Sequence, residues 1–183
     1  MKITVGVMGS AGDIAPSDRN TLSEKAENLA KAIVQRNAVL LTGATTGIVY
    51  LVGKAAHQRG VFHVGVSPAH NSKEHTEKYE LPLDACDFIV YTGFGLKGRN
   101  VVLVRSCDIV LLIAGGMGSL NEFTIAHDEA KIIGCLTGTG GVADEAAYLL
   151  QNFSKDNSGH IFRDDDPNRL LDLCFDALKR GAQ

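Results

Sequence analysis

Residues 109–122 run Ile109-Val110-Leu111-Leu112-Ile113-Ala114-Gly115-Gly116-Met117-Gly118-Ser119-Leu120-Asn121-Glu122. Six apolar residues in a row end abruptly at a cluster of glycines. Such a run is far short of the roughly 18 residues that a membrane span needs. It does not alternate apolar with polar, so it does not read as a strand with one wet face. It reads as a short strand buried on both faces, the kind that parallel sheets contain. Leu120 to Ala130 then follows a helical pattern. Strand, glycine turn, helix is therefore the local unit.

Working outward, the same unit recurs. Ile3 to Met8 is an apolar strand ending in Gly9-Ser10-Ala11-Gly12. Leu22, Ala26, Leu29 and Ile33 share one helical face, and Thr21-Leu22-Ser23-Glu24 fits a capping box that would start that helix near Thr21. Val39 to Leu41 leads into Thr42-Gly43-Ala44-Thr45-Thr46-Gly47, and Ile48, Leu51, Val52, Ala55 and Ala56 make the next helix, with Gly60 placed to close it. Val61 to Val66 is a strand stopped by Ser67-Pro68. Ala69 to Asp84 is polar and aperiodic and reads as a long surface loop. Phe88 to Tyr91 is a strand. Lys97 to Arg105 has strand-like composition, yet it stands too close to the 109–113 run for both to be parallel neighbours, so a short helix fits better. Ile132 to Leu136 is a strand and Val142 to Phe153 a helix. A short strand at His160 to Phe162 and a helix from Pro167 to Arg180, capped by Asp166, close the chain. The expected architecture is α/β: a doubly wound, mostly parallel sheet with helices on both faces, Rossmann-like, in a single domain over residues 1–183.

Composition narrows the function. The chain has 183 residues, 45% of them hydrophobic, with a net charge of -3, which excludes a disordered chain and gives no global attraction for nucleic acid. Neither a membrane span nor a signal-peptide core is legible. Cys86, Cys107, Cys135 and Cys174 are widely spaced, with no metal-binding pattern, and read as reduced thiols of a cytoplasmic protein with no metal. There are 20 glycines against 4 prolines, where about 7% glycine is average.

Those glycines gather where strands give way to helices, at the carboxyl edge of the expected sheet, where ligands bind. Glycine lets backbone approach a ligand closely, and the helix that follows points N–H groups and the positive end of its dipole at the loop. A phosphate suits such a place. Gly6 to Gly12 is not the dinucleotide fingerprint, and no acidic residue ends the second strand to take a ribose diol. The candidate ligand contacts are Gly9, Ser10, Gly43, Gly47, Gly115, Gly116, Met117, Gly118 and Ser119. Arg99 would add a planar fork matched to phosphate oxygens, or be an ordinary surface charge. Glu122 would bond a ribose hydroxyl or stabilise a cationic anomeric carbon. Alternatively, Ser119-Leu120-Asn121-Glu122 is a capping box that needs no ligand. Asp144 has the position of a helix cap, and His70 and His75 read as solvated loop residues.

The Gly-Gly-x-Gly-Ser-x-x-Glu segment, with Arg99 standing 23 positions before Glu122, resembles the LONELY GUY family, long labelled lysine decarboxylase-like. Its pattern is Pro-Gly-Gly-x-Gly-Thr-x-x-Glu with an upstream Arg-Lys pair. Val5 to Ser10 and Thr42 to Gly47 look like the family's first two loops. Gly138-Thr139-Gly140-Gly141-Val142-Ala143-Asp144 is similar to a branch resembling molybdenum-cofactor carrier proteins. The resemblance covers roughly residues 1–153. It implies Arg99 and Glu122 as a catalytic pair that hydrolyses the N-glycosidic bond of a nucleoside 5′-monophosphate to free base and ribose 5-phosphate. It also implies a homodimer or larger homo-oligomer, for which Val101 to Val104 would supply an apolar helix face. A decarboxylase and a bound cofactor of its own are not expected, since no Schiff-base lysine stands in a recognisable setting. The chain departs from the pattern at Ala114 (the family's Pro), Ser119 (Thr), Asn100 (the Lys after the Arg) and Val49 (Met). Loss of the cation at Asn100 weakens hydrolysis more than binding. Two functions therefore stand side by side: a nucleoside 5′-monophosphate phosphoribohydrolase, and a non-catalytic carrier or sensor for a nucleotide or a molybdopterin-type cofactor.

Overall fold

The run Ile109–Ile113 lies at the middle of the sheet with all five residues buried. In the computed structural model, which describes residues 1–12, 19–154 and 160–181, the order is β1 (Thr4–Gly9), α1 (Arg19–Gln35), β2 (Val39–Thr42), α2 (Gly47–His57), β3 (His63–Ser67), α3 (Ser72–Glu77), β4 (Phe88–Tyr91), α4 (Gly95–Arg105), β5 (Ile109–Ile113), α5 (Met117–Asp128), β6 (Ile132–Leu136), α6 (Gly141–Phe153), β7 (His160–Asp164) and α7 (Pro167–Lys179). Seven strands form one sheet in the order β4-β3-β2-β1-β5-β6-β7, and every pairing is parallel. The doubly wound expectation holds.

Alternate side chains of β5 explain the continuous apolar run. Ile109, Leu111 and Ile113 enter a core under α1, α2 and α7, while Val110 and Leu112 enter a second core under α4, α5 and α6. Neither face of the strand meets water, so neither tolerates a polar residue.

Several boundaries differ from the sequence expectation. α1 begins at Arg19, so Thr21 lies inside the helix and does not cap it. The stretch 69–84 is not all loop: Asn71 caps the short α3 by accepting from Glu74 N–H at 2.9 Å. His75, on that helix, is fully buried rather than solvated. Its Nδ1 pairs with Ser67 Oγ at 2.8 Å and its Nε2 with Pro82 O at 3.1 Å. A buried imidazole satisfied at both nitrogens has no spare valence, and it fastens the 68–84 connection to the end of β3. Residues 95–105 are helical, as the parallel wiring required. β7 is longer than expected and pairs with β6 along its whole length. Asp166 does cap α7, accepting from Arg169 N–H at 2.9 Å. Three of the cysteines are buried, Cys86 is half-buried, and all four are unpaired. Burial pushes each thiol up to about 12.

Candidate functional site

The chain leaves β1 toward one half of the sheet and β5 toward the other, so a crevice opens above their carboxyl ends. That switch point is where open parallel sheets bind ligands. A cavity of about 350 Å³ fills it here. Val7 to Ala11 from β1 and its following loop, Gly43 and Thr45 from the loop after β2, and Val49 from α2 form one side. Leu96, Lys97, Arg99 and Asn100 of α4, with Gly116 to Ser119 and Glu122 at the start of α5, form the other.

Helix α5 begins three residues before the sequence pattern indicated. Gly116 is its N-cap, and no side chain caps it. The helices α3 and α7, by contrast, are capped by Asn71 and Asp166. The first-turn N–H groups of α5 thus stand at the cavity wall with no side-chain acceptor among the described residues. This start also disposes of the capping box: Ser119 is already inside the helix, and Glu122 lies a turn further on. A Cβ built at Gly116 or at Gly118 would meet open space, so neither glycine is demanded by packing. Their effect is to leave the helix end bare.

Arg99 and Glu122 face each other inside the cavity, 5% and 6% exposed. Arg99 Nη1 stands 3.8 Å from Glu122 Oε1, an ion pair beyond hydrogen-bonding distance. Arg99 Nε is buried without a hydrogen-bond partner. The guanidinium lies over Gly43, where a Cβ would fall inside it. Burial lowers the Arg99 pKa, and Glu122 partly offsets this. Burial pushes the Glu122 carboxyl up to about 7, against the pull of Arg99 and Lys97. Asn100 is buried behind the pair. With its amide turned to suit its neighbours, its nitrogen donates to Leu96 O at 3.0 Å and to Glu122 Oε1 at 3.2 Å. Where the resembling family carries a second cation, this chain holds the carboxyl with a neutral donor.

Among the expected ligand contacts, Gly9, Ser10, Gly43, Gly116, Met117, Gly118 and Ser119 line the cavity, and Gly47 and Gly115 do not. Gly47, at φ +72°, packs its Cα against the carbonyls of Ser10 and Gly12. The N–H of Gly115 donates to Ser10 Oγ at 3.0 Å, so it is already spent. The glycines near 140 do not line the cleft either; they brace it from behind. Asp144 accepts from Gly138 N–H at 2.7 Å and Gly140 N–H at 2.8 Å. The first N–H groups of α6, from Val142 and Ala143, donate to Gly115 O and Ala114 O. Val49, Leu96, Lys97 and Asn100 had drawn no attention as ligand contacts. Val49, Leu96 and Lys97 stand in first turns of helices and Asn100 one turn further on; Val49 and Asn100 were marked in the sequence only as departures from the resembling pattern, and Leu96 and Lys97 by no motif.

Ala114 explains its own departure from the resembling pattern. It sits at φ +54°, and its N–H donates to Thr139 Oγ1 at 2.8 Å. Proline fixes φ near -65° and has no N–H, so this loop has a shape in which proline cannot stand.

A model of the SLOG cluster4 family matches residues 2–171. The chain belongs to the SLOG cluster4 family. Three solved structures place that membership in context. The protein TM1055 superposes with a TM-score of 0.82 at 23% identity, covering 96% of this chain and 99% of its own. The molybdenum cofactor binding protein of Rippkaea orientalis gives 0.73 at 24% identity, covering 98% and 97%. The molybdenum cofactor carrier protein of Chlamydomonas reinhardtii gives 0.75 at 23%, covering 98% and 99%. Identities this low establish the fold that this SLOG cluster4 chain shares with them.

Proposed function

We propose that residues 1–183 form one Rossmann-like unit that binds a phosphate-bearing small ligand, a molybdopterin-type cofactor or a nucleotide, and carries or senses it without turnover. The observation that carries this reading is Arg99. It lines the cavity as a buried guanidinium whose carboxylate partner stands at 3.8 Å, beyond hydrogen-bonding distance. A planar fork whose ion pair is this long can turn its terminal nitrogens to phosphate oxygens instead. The uncapped start of α5 adds backbone N–H groups on the same cavity wall.

The residues present fit a phosphate monoester. Among the described residues, no group of three or more His, Cys, Asp or Glu side chains stands where it could hold a metal. A molybdopterin-type cargo would therefore be gripped by its phosphate and rings. The likeness to cofactor-binding and carrier proteins supports this choice. No helix among the described residues is long and apolar enough to cross a membrane, and unpaired thiols suit a reducing compartment such as the cytoplasm.

The phosphoribohydrolase reading rests on Glu122, which lines the cavity next to Arg99. Two features favour binding over hydrolysis: Asn100 supplies no second cation, and burial holds Glu122 partly protonated near neutral pH. Homo-oligomerisation through α4 is a narrower proposal than the sequence offered. Leu103 and Val104 are consumed by the chain's own core, and only Val101 and Val102 stay half-exposed.

The deciding experiment is a thermal-shift screen of nucleoside monophosphates and pterin phosphates, followed by a base-release assay on every hit. A stabilising ligand without released base, with the shift lost in Arg99→Ala, supports the carrier. Base release that Glu122→Ala abolishes overturns it in favour of the hydrolase. Light scattering at the monomer mass of 19.5 kDa would dispose of the oligomer.

A further inference from the structure

The charged end of the cavity is closed by Arg99 and Glu122, both almost wholly buried. Its mouth has a different chemistry. Leu96, in the first turn of α4, is 52% exposed, and Met117, the first residue of α5, is 77% exposed. Single exposed apolar residues on a surface are ordinary. These two are not scattered: both line the same cavity, each carried there by the start of a helix.

The setting of Met117 is the more telling. It stands between Gly116 and Gly118, at both of which a Cβ would meet open space. The loop has been stripped of side chains on either side, yet it retains a long, polarisable one in solvent. Nothing among the described residues packs on it enough to bury it. Val49 adds an apolar patch to the wall across the cavity. A ligand with its phosphate at Arg99 and the α5 start would extend outward past these side chains.

We infer that Leu96 and Met117 form a clamp for a flat heteroaromatic ring, and that this clamp makes the site prefer phosphate esters bearing such a ring over bare sugar phosphates and alkyl phosphates. This rests on the phosphate-binding reading above. A thioether makes favourable contact with aromatic rings and adapts its shape to them. A leucine facing the same space supplies flat apolar area that water leaves when a ring enters. Lys97, next to Leu96 and exposed, leaves the mouth open to ring systems that carry carbonyl oxygens.

The test titrates the full-length protein with four probes: adenosine 5′-monophosphate, a pterin phosphate monoester, ribose 5-phosphate and hexyl phosphate. At least one ring ester should bind about tenfold or more tightly than ribose 5-phosphate and hexyl phosphate. Leu96→Ala and Met117→Ala should each erode that advantage several-fold, with the loss falling on ring esters far more than on ribose 5-phosphate. Both side chains are exposed, so truncation removes no core and the variants should keep the parent melting temperature within a few degrees. Equal affinity for ribose 5-phosphate and the ring esters overturns the clamp. So does hexyl phosphate binding as tightly as a ring, or an equal loss on all four probes in the variants. Failure of every probe to bind defeats the phosphate reading itself, and the clamp with it.

Discussion

The guanidinium of Arg99 occupies the space that a side chain on Gly43 would need. Gly43 is not among the residues with positive φ, so its backbone would accept any residue, and the demand for glycine there is steric. One helix and one strand loop, 56 positions apart in sequence, are matched through that contact. Gly43→Ala should therefore fold while pushing the guanidinium out of place. The expected result is a loss of phosphate-ligand affinity of about tenfold to a hundredfold, the worth of a hydrogen bond to a charged group. Titration of the variant with the best ligand from the screen checks this. Undiminished affinity would mean that Arg99 does not hold the phosphate.

Glu122 gives the cleft a pH signature. Its pKa is raised to about 7 in the folded chain, mainly by burial, above the ordinary unfolded value near 4.5. The folded state therefore holds the proton more tightly than the unfolded state does. This contribution to stability is complete below about pH 4.5 and is lost as pH rises through 7. The loss amounts to as much as about 3 kcal/mol by the rule of 1.36 kcal/mol per pKa unit. Denaturant melts between pH 4.5 and 8, read as the difference between the parent protein and the variant Glu122→Gln, should show the decline. Glu122→Gln, which cannot ionise, should lack that step. A parent profile as flat as the variant's would show that Glu122 is already ionised at neutrality.

Much of this could be read from the sequence, and what was missed has physical causes. The run 109–113 announced a two-faced strand because both of its faces are buried, and Arg99 with Glu122 stood out by chemistry and spacing. The first turn of α5 was invisible because Gly-Gly-Met-Gly has poor helix propensity; the helix forms there because the loop is held from behind by α6 through Ala114 O and Gly115 O. The helix α3 buries only His75, and one buried residue makes no periodicity. Gly47 and Gly115 resembled ligand glycines because positive φ at a turn looks the same in sequence whether the backbone meets a ligand or its own chain.

His63, which does not line the cavity, supplies a second, opposite pH effect. It is buried against Thr42 Oγ1 at 2.8 Å and the Ala85 carbonyl, and burial pushes its pKa down to about 4. The unfolded chain takes up a proton near pH 6.5 while the folded chain does not. Stability from this group is present above 6.5 and declines as pH falls from there toward 4. The decline is about 3 kcal/mol at most. His63→Gln, which keeps a polar side chain of lesser bulk, should flatten the acid limb even where it lowers stability at neutral pH. Melts at pH 4.5, 5.5 and 7 on both proteins distinguish the outcomes; an identical acid limb in the variant would assign the effect elsewhere.

The last prediction concerns the shape of the loop that carries the site. Ala114 holds φ +54°, a left-handed conformation that costs a non-glycine residue about 1–2 kcal/mol. Ala114→Gly relieves that cost, offset by the greater freedom of glycine in the unfolded chain. The expected net is between no change and about 1 kcal/mol of added stability. Ala114→Pro should do the reverse on two counts. The ring cannot reach this φ, and the hydrogen bond from Ala114 N–H to Thr139 Oγ1 disappears. Thr139 is itself buried and donates onward to Leu136 O at 2.7 Å, so the loss leaves its oxygen without that donor. Destabilisation of several kcal/mol, or failure to fold, follows. Chemical denaturation of both variants measures it. If Ala114→Pro matched the parent in stability, the loop would be able to take the proline-bearing shape of the family it resembles.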